Sequence, residues 1–137
     1  MAFDLAQLTR TPDLRTVTPL HARLVCAMRY THVARRVGDY SHRRLASHLG
    51  SFCAVHSFHV FMDEAGHAWP ERIVLNPPCQ SAFSYDEMLL VDLLTAAARG
   101  ERARFDDFVR DMIGAGARHA IWSAARRLMR HMATGVS

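Results

Sequence analysis

Ser84-Tyr85-Asp86-Glu87-Met88-Leu89-Leu90-Val91-Asp92-Leu93-Leu94-Thr95-Ala96-Ala97-Ala98-Arg99-Gly100 is the stretch that decides the fold. Ser84 and Glu87 have the spacing of a capping box. The serine hydroxyl can accept from the Glu87 amide, and the Glu87 carboxylate can reach back to the Ser84 amide. Asp86 places a negative charge near the positive end of the helix dipole. Phe83 and Met88 stand where a hydrophobic staple would close. Met88, Leu89, Val91, Leu93 and Ala96 leave the helix apolar almost all round, so it belongs in the centre of a core. Gly100 is a suitable stop after Arg99.

The neighbouring segments also read as helices. Thr18-Pro19 starts one, because proline at the first helical position loses only an amide that would be unpaired there. Leu20, Leu24, Ala27, Met28 and Val33 continue it at helical spacing. Arg35 and Arg36 suit its last turn, and Gly38 suits its end. Asp39 or Ser41 can cap a second helix. Leu45, Leu49, Phe52, Cys53, His56 and Val60 carry this helix to Gly66, with Gly50 as a site for a kink. A fourth helix spans about Glu101–Ile113 and a fifth about Ala117–Ala133, separated by Gly114-Ala115-Gly116. Trp69-Pro70 and Asn76-Pro77-Pro78 forbid a continuous helix over 67–83. That stretch reads as a packed loop held by Trp69, Ile73, Leu75 and Phe83. The expectation is an all-α, compact bundle of about five helices with one long irregular loop at 67–83. Residues 1–17 form an N-terminal arm, with one amphipathic turn at Phe3, Leu5 and Leu8, and residues 18–137 form a single helical domain.

Half of the 137 residues are hydrophobic, enough for a core without staples. No apolar run has the length of a membrane span, and no secretion signal is read at the N-terminus. The three cysteines, Cys26, Cys53 and Cys79, are widely spaced and form no CxxC. This suits reduced thiols in a reducing cytoplasm. All 17 basic residues are arginine, so no lysine can form a Schiff base. Charge is uneven along the chain. Residues 1–60 carry eight arginines against three acids, residues 61–115 carry five against ten, and residues 116–137 carry four against none. A basic and an acidic surface, or attraction between segments, follows.

Four groups of residues invite a chemical reading. Cys53, His56 and His59 offer metal ligands at i, i+3 spacing on one helix, and zinc is the ion that accepts such donors. Cys53 and His59 lie about 120° apart around that helix, so another element would have to complete the shell. HExxH and paired CxxC forms are absent, and no cofactor is otherwise expected. Arg35, Arg36, Arg43 and Arg44 flank the Gly38 turn, an arrangement with the outline of a helix-turn-helix. The second helix, read as long and apolar beyond Leu49, does not suit a helix that reads DNA. Cys79 follows Pro77-Pro78 in the loop and could pair with a histidine. No further group there defines a reaction, and no catalytic residue is assigned. Trp69 and Cys79 mark the loop as an interaction surface.

Arg23-Leu24-Val25-Cys26-Ala27-Met28-Arg29, the apolar helix from Leu49 to Met62, Pro78-Cys79, Asp86-Glu87 and Leu89-Leu90 occur in an order that resembles a small uncharacterised family of alphaproteobacterial helical proteins. The resemblance covers most of the chain after residue 20. The family carries more cysteine at the turn, where this chain has only Cys79. The resemblance implies a bacterial, cytoplasmic protein and no particular activity. The favoured expectation is a non-catalytic protein-interaction or regulatory module with an unidentified protein partner. The two alternatives are a nucleic-acid-binding regulator using the Arg35/Arg36/Arg43/Arg44 cluster and a metal-binding protein using Cys53/His56/His59. No membrane association is expected. A homodimer would be indicated by an apolar strip on the second helix beyond what the core needs.

Overall fold

The computed structural model describes residues 13, 14 and 17–134, and among these it is all-helical apart from one isolated bridge. Among the described residues there are six helices: α1 Pro19–Val37, α2 His42–Leu49, α3 Cys53–Ala68, α4 Tyr85–Ala98, α5 Arg102–Val109 and α6 Ala115–Thr134. None is long and apolar enough to cross a membrane.

The helix ends follow from local chemistry. Thr18 caps α1 by accepting from the His21 amide, and Pro19 opens the helix. Gly38 closes it in the left-handed conformation. The capping box at α4 is complete: Ser84 Oγ accepts from Glu87 N at 3.0 Å, and Glu87 Oε1 accepts from Ser84 N at 2.8 Å.

Six helices among the described residues agree roughly with the expected bundle of about five, and the division at Gly50 makes two of them from one expected helix. Gly50 does not kink a continuous helix; it ends α2 at φ +80°, with its amide bonded back to Ala46 O. Ser51 Oγ then accepts from the amide of Cys53, the first residue of α3. A right-handed helix cannot pass through a left-handed residue, so the apolar stripe read as one helix bends between two. At the other end, α3 passes through Gly66 and stops at Ala68. The segment expected to be helical to Ile113 ends earlier, at Val109, where Met112 and Ile113 fold back onto the Val109 carbonyl. α6 correspondingly starts at Ala115 rather than Ala117.

The core is one large cluster. α3 packs along α6, and α6 also covers α4; Phe58, Phe61, Leu90, Leu93, Leu94, Ile121 and Leu128 are sealed between them. α1 lies against α2 and α4, and α5 folds against α4 and α6. Ser57 on α3 is buried and hydrogen-bonded to His131 Nδ1 on α6, so the largest helix contact also holds a polar bond. A smaller cluster of Val25, Phe83 and Val91 is covered by Leu14, Val17 and Met88. There the chain before α1 is tied down. Leu14 N donates to Ser81 O at 2.9 Å, and Asp13 bridges to Ala82. The expected amphipathic turn at Phe3, Leu5 and Leu8 lies outside the described residues.

Candidate functional site

Between α3 and α4 the chain from 69 to 84 crosses the surface without regular structure, yet it is held at both ends and in the middle. Trp69 is buried at the end of α3, and its indole N–H donates to Asp86 Oδ1 at 3.2 Å. Asp86 Oδ2 accepts from Val74 N at 2.7 Å, and Ser84 Oγ donates to Val74 O at 2.7 Å. The N-terminal turn of α4 therefore captures the loop as well as capping its own helix.

The middle of the loop is fixed by an ion pair. Arg29 on α1 and Glu87 on α4 are 2% and 0% exposed and meet in a fork: Nε to Oε2 at 2.8 Å and Nη2 to Oε1 at 2.9 Å. The guanidinium also donates to the carbonyls of Gln80 and Ala82. The carboxylate also accepts from the amides of Asn76 and Ser84. Asn76 Nδ2 adds a bond to Ala82 O at 2.8 Å. Planar, bidentate geometry, with four of the five guanidinium N–H donors and both carboxylate oxygens bonded, is what allows a charge pair to persist without water. The bond to Glu87 pushes the Arg29 pKa further up, against burial, which lowers it. Sequence reading saw Glu87 only as a cap and missed Arg29, because the partner lies 58 residues away.

With the loop fixed, a groove of about 440 Å³ opens between α1, α3 and the loop. Met28, Phe58, Met62, Ile73 and Leu75 supply apolar lining, and Arg35, Arg36 and Arg72 supply positive charge, with Asp63 as the acidic lining residue. Arg35 is held in place. It lies over the Tyr40 ring at 5.5 Å and contacts His59 Nδ1 at 3.0 Å. Arginine can only donate, so Nδ1 accepts and the His59 proton sits on Nε2. That nitrogen donates to Tyr40 Oη at 2.7 Å, which leaves the phenol free to donate to His42 Nδ1 at 3.2 Å. The chain of bonds requires neutral His59. Burial and then the Arg35 charge push its pKa below the usual histidine value.

The residues singled out from the sequence separate in space. Cys53 and His56 are exposed on α3, while His59 turns toward α1 with both ring nitrogens engaged. Among the described residues no group of three His, Cys, Asp or Glu side chains is arranged to hold a metal ion. The four arginines beside Gly38 are all exposed but face different recesses. Arg35 and Arg36 line the α1/α3 groove. Arg43 lines a shallow depression with Phe52. Arg44 lies on a third recess beside Asp39, its ion-pair partner at 3.6 Å. Of the two loop residues, Cys79 is exposed but Trp69 is spent on the core. The groove residues Met62, Arg72 and Leu75 carried no distinguishing signal, since each reads as ordinary surface or packing until the loop's path is known. Comparison with known protein families, with curated proteins and with solved structures finds no match.

Proposed function

We propose that this chain is a non-catalytic binding module whose recognition face is the groove between α1, α3 and the 69–84 loop. The observation that carries the reading is a concave apolar surface of ligand size whose loop wall is fixed by a buried ion pair. A preorganised wall lowers the ordering cost of binding. A regulatory or protein-interaction role suits such a face. Methyl NMR spectra titrated with panels of short peptides, organic acids, amines and alcohols test it. At least one panel should move the Met28, Met62, Ile73 and Leu75 methyls together. If every panel leaves them in place, the reading fails.

A second reading, nucleic-acid binding, gains from the break at Gly50. α2 is a short helix after the Gly38 turn, with His42, Arg43, Arg44 and Ser47 exposed, rather than the long apolar helix that argued against it. An oligonucleotide titration at two salt concentrations decides this. Phosphate contacts must weaken steeply with salt, and shifts confined to α2 would replace the groove as the recognition face.

A further inference from the structure

The chemistry of the groove narrows what it takes. Its apolar lining comes from three elements: Met28 on α1, Phe58 and Met62 on α3, and Ile73 and Leu75 on the loop. Three guanidinium groups lie on its walls, Arg35 and Arg36 from α1 and Arg72 from the loop. Elsewhere among the described residues Arg29, Arg44, Arg99, Arg102, Arg104, Arg110 and Arg118 each meet a carboxylate, while Arg23, Arg43, Arg126, Arg127 and Arg130, like the groove arginines, do not. Among the described residues, no ion pair uses the three groove arginines. Asp63 is the single carboxylate on the lining, so the walls keep an excess of positive charge.

Arg35 has a further property. His59 and Tyr40 fix the orientation of its guanidinium, while its contact to His59 occupies one of five N–H donors. A preoriented fork of this kind matches the two oxygens of a carboxylate or a phosphate. The groove volume of about 440 Å³ is that of a small-molecule site, below what a folded partner would occupy. Its remaining polar lining is Thr31, which already gives its hydroxyl to Ala27 O, together with His32 and His59.

We infer that the groove binds a free small organic acid, an oxyanion on an apolar acyl or aryl body, with Arg35, Arg36 and Arg72 on the oxyanion and the half-buried Met62, Ile73 and Leu75 against the body, over a floor formed by Met28 and Phe58. The inference rests on the groove being the recognition face, and it adds the sign and shape of the ligand.

The test compares octanoate and octyl phosphate with octanol and octylammonium, which share the apolar body and differ in the head. Binding is read by calorimetry and by the groove methyl shifts. The two anions should bind saturably at one site, more tightly than octanol, and weaken as salt rises. Octylammonium should bind least. Arg72→Gln removes a side chain with no structural ion pair. It should weaken octanoate binding by about tenfold, the scale of one charge-assisted bond, and leave octanol unchanged. Equal binding of octanol and octanoate at the groove would overturn the inference and leave the groove as an apolar site. Failure of all four compounds to move the groove methyls would also overturn it, and the peptide panel then decides the broader reading separately. Co-sedimentation with anionic phospholipid vesicles, without binding of the free acids, would assign the arginines to a lipid surface instead.

Discussion

Arg29 and Glu87 show what a single pair of residues does here. Each is buried, each is charged, and each takes two loop backbone groups in addition to its partner. Glu87→Gln keeps the shape but leaves the guanidinium without a countercharge. It should cost about 3–5 kcal/mol, the range for breaking a buried pair from one side, measured by urea unfolding. Amide exchange at Asn76 and Ser84, whose N–H groups bond to the Glu87 carboxylate, should become faster in the variant. His59 gives a second prediction. Its pKa is below 6.5 because burial, then Arg35, disfavour the cation, with His42 and His56 adding to this and Asp63 opposing it. The unfolded chain therefore takes the proton first as pH falls. The stabilisation is full above the ordinary histidine value and is lost on acidification toward the native pKa. Between about pH 7.5 and about pH 5 the wild-type urea midpoint should fall, and His59→Gln should reduce that fall. An equal slope in both proteins would remove His59 from the account.

Among the elements, the signals that act within a few residues were legible in advance. Thr18-Pro19, Ser41, the Ser84–Glu87 box, Gly38 and Gly100 all have local partners, and each ends a helix where its chemistry says it should. Gly50 was legible as an interruption but not as a full break. Its left-handed conformation depends on how α2 and α3 cross, and periodicity cannot report that. The groove was less legible still. Met28 and Met62 read as helix stripe, and nothing in the order of residues says that Arg72 comes to face α1. Glycine substitutions separate these local roles. Gly50→Ala forces a side chain into φ +80° with Arg23 Nη1 at 3.3 Å from the new Cβ, and should cost about 1–2 kcal/mol. Gly66 lies inside α3 with open space where the Cβ would be, so Gly66→Ala should stabilise by up to about 1 kcal/mol. Thermal melts of the two variants should therefore move in opposite directions from wild type. A fall in both would mean that α3 requires flexibility at Gly66.

At the scale of the whole molecule, the two tryptophans stand in separate parts of the structure. Trp69 ends α3 where the loop begins, and Trp122 on α6 packs edge-on against Phe105 at 5.1 Å. Since the loop is bonded to both α1 and α4, it should unfold with the bundle. Trp69→Phe and Trp122→Phe leave one reporter each. In each single-tryptophan protein the fluorescence and far-UV circular dichroism transitions should coincide, as one cooperative unit requires. A fluorescence transition at Trp69 that precedes the helical one would make the loop a separate unit. Phe58→Ala, which leaves a cavity where α3 meets the core, should cost about 3–5 kcal/mol in either protein. The loop's anchoring has a consequence for how this molecule can change. Arg29 and Glu87 grip it through main-chain carbonyls and amides at Gln80, Ala82, Asn76 and Ser84, which any non-proline residue there would present. Its trajectory is thus decoupled from most of its letters. Exposed positions such as Glu71, Arg72, Val74 and Cys79 can be rewritten while the path is conserved, so new selectivities can be screened there as a library on an unchanged frame.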